Sequence, residues 1–520
     1  MKIVTIAEMR QLEAMAERSG ITSAILMENA GHAVAQQTRR ILGGVAGKKL
    51  IALIGPGNNG GDGLVAARYL QQWGAEMTLY LCAERKINDE NLKLALCAGV
   101  SIIDAYTDNE QSNLELLLSA CHGVIDAVFG TGQNRQMESI LQRVFSNVNM
   151  YKKVDSTAKI VAVDLPSGLN ADSGEVDPST PFADYTITLG YPKRGLFAAP
   201  GALHAGVVVT VDIGLPDAFA MTLQCESLTD EWARSLLPHR SSYSHKGSFG
   251  KVLVLAGSVN YVGAAYLCCA GVMRVGAGLV TLAGSKVVQS AVAMHLPEAT
   301  YLSLPEAPVS GIYPDGYRIL LKETMEYDVF LAGCGLGMRE NAKTLALKTI
   351  FRLPPNQRKV LDADVLNYLA TLPKWWHRLP TDAVLTPHPG EMARLCGVTI
   401  DEIYANRFDL VLSKAAEWNK TIVLKGAGSI IAAPNGALRI NCFANAGLAS
   451  AGTGDVLAGV IAGLLAQGLS LFDAASLGVY LHAKAGEVVC SRLGDAGMLA
   501  SDLLPELPLV IKRLKESRQS

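Results

Sequence analysis

The chain has no Cys-x-x-Cys pair, no long apolar run, few aromatic residues and no excess of either charge. Each absence removes a class of function. The ten cysteines are scattered, and the nearest neighbours are the adjacent Cys268 and Cys269. A zinc ribbon or a thioredoxin-type redox motif needs paired spacing, so neither is expected. Single cysteines in apolar surroundings read as reduced core residues, which points to a cytoplasmic protein. Lys and Arg total 46 against 48 Asp and Glu, a net charge of −2. With no basic stripe, neither nucleic acid nor an anionic membrane is expected as a partner. The N-terminus reaches Glu8 and Arg10 without a signal-peptide core. The most apolar run, residues 456–466, is shorter than the ~20 residues of a membrane helix.

What the chain does have is glycine, 50 residues in short clusters, within 520 residues that are 49% apolar. Glycines at strand-to-helix turns, together with alternating strand and helix patterns, predict an α/β protein of two large domains. Residues 1–217 form the first predicted domain, 218–245 a connection that follows Pro216 and carries Pro238 and a polar run, and 246–515 the second. In the first domain, helices are expected over residues 7–17, 23–40 and 63–73. Strands are expected over 49–55, 77–82, 122–129, 159–164, 185–189 and 207–211.

In the first domain, Gly55-Pro56-Gly57-Asn58-Asn59-Gly60-Gly61-Asp62-Gly63 lies between a strand and a helix. It is neither a dinucleotide fingerprint nor a Walker A loop, but its free amides would suit a phosphate. Asp126 and Ser167 end two further strands, and carboxyl ends of parallel strands share one crevice. Asn59, Asp126 and Ser167 offer only oxygen, which suits a hard cation; they also read as ordinary turn residues.

Met27-Glu28-Asn29-Ala30-Gly31, the Asn58–Gly63 run, Asp164-Leu165-Pro166-Ser167-Gly168 and Gly190-Tyr191-Pro192-Lys193 together resemble the NAD(P)H-hydrate epimerase family over residues 1–215. The resemblance implies a Rossmann-like three-layer domain that interconverts the R and S epimers of hydrated NADH or NADPH. It implies potassium held by Asn59, Asp126 and Ser167. It places the cofactor against Asn58, Asn59, Gly60, Gly61 and Asp62, and against Gly130, Thr131, Gly132, Gln133, Asn134, Arg135 and Gln136. Asp164 would be the acid/base residue, with Lys193 as a partner cation.

The second domain carries Ala451-Gly452-Thr453-Gly454-Asp455 at the head of an apolar helix. Small residues there leave backbone amides pointing outward at the positive end, an anion hole. Asp455 reads either as a helix cap or as the base that deprotonates a hydroxyl for phosphoryl transfer. Lys425-Gly426-Ala427-Gly428-Ser429 ends a strand in a second nucleotide-type loop. His388 sits between two prolines, Glu391 is placed to cap the following helix, and Asp362 and Asp364 follow a strand.

These segments resemble the ADP/ATP-dependent NAD(P)H-hydrate dehydratase family over residues 225–515, which implies a ribokinase-like α/β/α domain. The resemblance puts adenine nucleotide on Lys425, Gly426, Ala427, Gly428, Ser429 and Gly454. It puts the hydrate on Ala264, Gly337 and His388, makes Asp455 the base, and brings magnesium with ADP or ATP. It also implies a homo-oligomer. Two other readings stay open: a ribokinase-type kinase for a small hydroxylated substrate, and a protein whose first domain only senses nicotinamide nucleotide.

Overall fold

The computed structural model describes residues 1–85, 89–132, 137–154, 157–307 and 311–516. They form two compact units that divide between Cys225 and Glu226. The boundary falls inside the stretch expected as a connection. That stretch carries the helix Asp230–Leu236, whose Ala233 is fully buried in the core of the second unit.

In the first unit seven strands are β1 (Lys49–Ile54), β2 (Glu76–Leu81), β3 (Ser101–Asp104), β4 (Gly123–Ala127), β5 (Lys159–Val163), β6 (Tyr185–Leu189) and β7 (Val207–Val211). Their order is 3-2-1-4-5-6-7 and every pairing is parallel. This is a Rossmann-like sheet, and its order reverses between β1 and β4. A crevice opens there at the carboxyl ends, the place where such sheets bind ligands. The helix Asn58–Gln72 starts five residues before its expected start, because the glycine run is its first turn and not a loop. The run is small because it is tightly packed. A Cβ on Gly60 would lie 2.1 Å from the Gly55 carbonyl, and one on Gly61 would lie 2.6 Å from the Met27 sulfur.

The second sheet runs in the order Thr300–Ser303, Leu279–Gly284, Lys251–Leu255, Val329–Ala332, Arg358–Leu361, Ala383–Leu385, Thr421–Leu424, Ile430–Ala432, Leu438–Ile440, Cys225–Ser227. Pairings are parallel as far as Thr421–Leu424 and antiparallel from there to Leu438–Ile440. The helix Thr453–Ala466 is buried along nearly its whole length against Val262–Arg274. Their backbones touch where side chains are missing. A Cβ on Gly459 would fall 2.1 Å from the Cys268 carbonyl. That contact fixes the start of the helix, and with it Asp455, over the carboxyl end of the sheet. Among the described residues, no helix is long and apolar enough to cross a membrane.

Candidate active sites

A cavity of about 1160 Å³ occupies the crevice of the first unit. Asn58, Asn59, Asp62, Asp164, Thr131 and Lys193 are among the residues that line it. Gly130 and Gly132 line it as well, but Gly60 and Gly61 do not. Gln133, Asn134, Arg135 and Gln136 lie outside the described residues.

Asp164 follows β5 with φ at +64°, a conformation that non-glycine residues seldom hold without surrounding support. Its support is dense on one side. Oδ1 accepts from Thr188 Oγ1 at 3.2 Å, from the Leu189 amide at 3.0 Å and from the Lys193 ammonium. Lys193 is 1% exposed and also donates to the Leu189 carbonyl at 3.1 Å. Oδ2 has no hydrogen-bond partner among the described residues, so it is the oxygen left for a ligand. Asp62 shares the cavity. Burial, reinforced by the negative charges of Asp164 and Glu13, pushes its carboxyl well above the usual range. Glu13, on the helix Ile6–Arg18, lines the same cavity and is also pushed up, chiefly by burial. Three carboxyls, those of Asp164, Asp62 and Glu13, therefore face a single space.

Asp126 and Ser167 meet directly. The Ser167 hydroxyl donates to Oδ1 at 2.6 Å and its amide to Oδ2 at 2.7 Å. Burial pushes the Asp126 carboxyl up to about 6 despite these bonds, and no side-chain cation pairs with it among the described residues. Asn59 packs on Gly130 in the loop after Asp126, and its Nδ2 is buried without a partner. The two ends of an amide are assigned only from their partners. Turned over, this amide would present its oxygen. A lone buried carboxylate beside an unsatisfied amide suits a hard cation.

In the second unit, Asp455 is the third residue of the helix Thr453–Ala466, whose N-cap is Gly452 with φ at +89°. No side chain caps this helix. Asp455 therefore does not serve as its cap, and the amides of Gly454 and Asp455 have no partner among the described residues. Burial, then the charge of Asp362, raises the Asp455 carboxyl to about 6. Beside it, Lys425 Nζ lies 2.8 Å from Asp362 Oδ1 and 3.9 Å from Glu391 Oε2. Burial works against its charge, but these two carboxylates hold it protonated above its usual value. A Cβ on Gly454 would sit 3.4 Å from Nζ, so the ammonium hangs over the open amides. The loop after Lys425 is held from behind by Arg407, which donates to the Ala427 carbonyl at 3.2 Å and to the Gly428 carbonyl at 2.8 Å. Ser429 closes the loop on the Gly426 carbonyl at 2.9 Å.

His388 is the N-cap of Pro389–Cys396 in a reciprocal capping box with Glu391. Its Nδ1 accepts from the Gly390 amide at 3.0 Å, while half of the ring is exposed. Burial and the nearby Lys425 keep it neutral. Gly337 donates to Asp364 Oδ2 at 2.7 Å. Ala264 meets the same loop through Gly335, where a Cβ would lie 2.7 Å from its own.

The comparisons with known proteins follow this division. A family model described as YjeF-related protein N-terminus matches residues 23–195, and one described as NAD(P)H-hydrate dehydratase matches residues 252–509. A bifunctional NAD(P)H-hydrate repair enzyme Nnr from Moorella thermoacetica is 40% identical over 99% of this chain and 98% of its own length. The chain belongs to the bifunctional NAD(P)H-hydrate repair enzymes. The Nnr enzyme of Escherichia coli is 34% identical over 95% of this chain and 90% of its own. A ribokinase-like superfamily protein from Enterococcus faecalis covers 56% of this chain and 96% of its own length, at 26% identity and a TM-score of 0.50. The second unit is thus ribokinase-like. Within this repair-enzyme fold, Arg407, Glu13 and Cys334 reach the two sites without any local motif to announce them.

Proposed function

We propose that the two sites divide the repair of hydrated NADH and NADPH, the first equilibrating the R and S hydrates and the second dehydrating the S hydrate with an adenine nucleotide. The observation that carries this is the pairing of one open carboxylate with its own polar machinery in each unit: Asp164 with Lys193 and Asp62, and Asp455 with Lys425 and free amides. The hydrated carbon bears a hydroxyl and the ring nitrogen. To invert it, Asp164 Oδ2 takes the hydroxyl proton as the carbon–nitrogen bond opens, and Asp62 gives its proton to the nitrogen. Closure on the other face reverses both transfers. Lys193, in a buried ion pair with Oδ1, holds the Asp164 carboxyl in place for the first step.

Asn59, Asp126 and Ser167 would hold potassium, which would supply a fixed positive charge beside the cofactor phosphates. Epimerisation is then expected to fall when sodium replaces potassium. Asp126→Asn should abolish the difference between the two salts, as measured by R-to-S conversion in each.

In the second unit, Asp455 takes the hydrate hydroxyl proton as its oxygen attacks the terminal phosphorus of ADP or ATP. Lys425 and the Gly454 and Asp455 amides stabilise the charge on the phosphoryl oxygens. The bridging phosphorus–oxygen bond breaks in this transfer and releases AMP when ADP is used; phosphate then departs from the ring with the carbon–oxygen electron pair, and loss of a ring proton restores the dihydronicotinamide. Asp362 Oδ1 is tied to Lys425 and Thr386, and Glu391 Oε2 to the His388 amide. Magnesium would come with the phosphates, beside the carboxylates of Asp362 and Asp455, whose ligand atoms lie within 4.8 Å of one another; no step here depends on it.

The test is hydrated NADH supplied with ADP and with ATP in parallel, following the dihydronicotinamide absorbance. Recovery with either nucleotide supports the reading. A phosphorylated product that persists would instead mark a kinase. Because Asp455 must be ionised and its carboxyl sits at about 6, dehydration should be full above that pH and decline as pH falls through it.

A further inference from the structure

Gly337 ends the turn that leaves the strand Val329–Ala332, and one helix takes both of its backbone polar groups. Its amide donates to Asp364 Oδ2 at 2.7 Å, and its carbonyl accepts from the Tyr368 hydroxyl. Asp364 and Tyr368 lie four residues apart on the helix Asp364–Ala370, so they share a face and reach the same residue. Tyr368 is fully buried. Ala363, just before the helix, holds φ at +48°, so the chain enters the helix through a conformation that needs support from its surroundings. The two segments start side by side, because Val329–Ala332 and Arg358–Leu361 pair in parallel with Ala332 opposite Leu361.

The turn over residues 333–337 is pinned from its other side as well. The Gly257 amide donates to the Cys334 carbonyl at 2.8 Å, and the Ser258 hydroxyl to the Gly335 carbonyl at 2.9 Å. The turn also runs past the base. The Cys334 sulfur and one oxygen each of Asp362 and Asp455 lie within 4.8 Å of one another. At Gly337 it meets open space. A Cβ there would find no atom nearer than Ser258 Oγ at 3.7 Å and Tyr261 Cε2 at 3.9 Å. With amide and carbonyl both bound to the helix, Gly337 offers that space a bare Cα. Such a surface suits the flat face of a ring and makes no hydrogen bond that would compete with Asp455 for the ring hydroxyl.

We propose that Asp364 and Tyr368 are positioning residues for the hydrate: together they turn both polar groups of Gly337 away from the site, so that the hydrated ring seats on its bare Cα beside Asp455. The proposal rests on the second site being the dehydratase. It goes beyond that reading by assigning the seat of the ring to a pair of side chains on one helix.

The experiment measures dehydration of the S hydrate of NADH in the full chain, varying hydrate and ADP in turn, with a thermal melt to confirm folding. Tyr368→Phe and Asp364→Ala should each raise KM for the hydrate about 3–10-fold, the scale of one lost hydrogen bond. KM for ADP should stay unchanged. Asp364→Asn keeps an acceptor oxygen for the Gly337 amide and should hold KM for the hydrate near the wild-type value. A helix that only supports the fold would instead lower kcat and leave both KM values alone, and that result would overturn the proposal. So would equal rises in KM for hydrate and ADP, or an asparagine variant no better than alanine. If Asp364→Ala does not fold, Tyr368→Phe, which removes a single oxygen, decides alone. Failure of the dehydratase reading is separate, since the wild type would then restore no absorbance whatever these variants do.

Discussion

Asp455→Asn loses dehydration by about 10²–10⁴-fold in kcat, the range for removing a general base, while the fold and the epimerase activity persist. The geometry separates these outcomes. Asp455 caps nothing, so the amide deletes no structural hydrogen bond. Its carboxyl is raised by burial and by Asp362, which means that the folded state disfavours the charge. Such a group subtracts from stability once pH exceeds its unfolded value and through its folded value near 6. Removing the charge therefore leaves the protein equally stable or slightly more stable at neutral pH. Attraction between the carboxylate and the helix N-terminus works the other way, but amounts only to about 0.3–1 kcal/mol. Steady-state dehydration kinetics beside a thermal melt check both halves of the expectation.

Lys193→Met has the opposite profile, with large losses in both stability and activity. Removing one partner of a buried ion pair costs about 3–5 kcal/mol, because the remaining charge is left without compensation. Here that charge is Asp164, whose Oδ1 would keep only Thr188 and the Leu189 amide. The loss should appear as faster hydrogen exchange across the strands of residues 2–225, with residues 226–516 unaffected. Adding Asp164→Asn to this variant should restore most of the stability, since the uncompensated charge is gone, but not R-to-S conversion. A double variant no more stable than Lys193→Met would show that the lysine stem, and not its charge, holds the unit together.

The sequence was most legible where burial and periodicity agree. Tyr185–Leu189 and Val207–Val211 are found at their expected limits, because each is an uninterrupted β-branched or apolar run. Ser101–Asp104 was missed: it is a four-residue edge strand, half exposed, with polar residues at both ends. The glycine run after β1 read as a loop because glycine weakens a helix in isolation. Its glycines instead let the first helical turn pack against Gly55 and Met27, a reason that only tertiary contact supplies.

The sites show the same divide. Asp164, Lys193, Lys425 and Asp455 stand in compact motifs, and the fold places each at a strand end or helix start. What no motif could convey is protonation. Asp62 and Glu13 come from different helices, and it is burial in one cavity, reinforced by the charge of Asp164, that raises them. Arg407 is some twenty residues from the loop it holds, and Cys334 is far in sequence from both carboxylates it meets. Their places in the sites arise from distance closed by folding.

The central claim is that one chain repairs both hydrates at two separate sites. It is tested most directly by giving mixed R and S hydrate with ADP to the wild-type chain and to Asp164→Ala, and following the return of dihydronicotinamide absorbance. The wild type should restore both epimers. The variant should restore the S fraction at the wild-type rate and then stall on the R fraction. Recovery of the R fraction at the wild-type rate in Asp164→Ala would contradict the account, as would absorbance that never returns in the wild type.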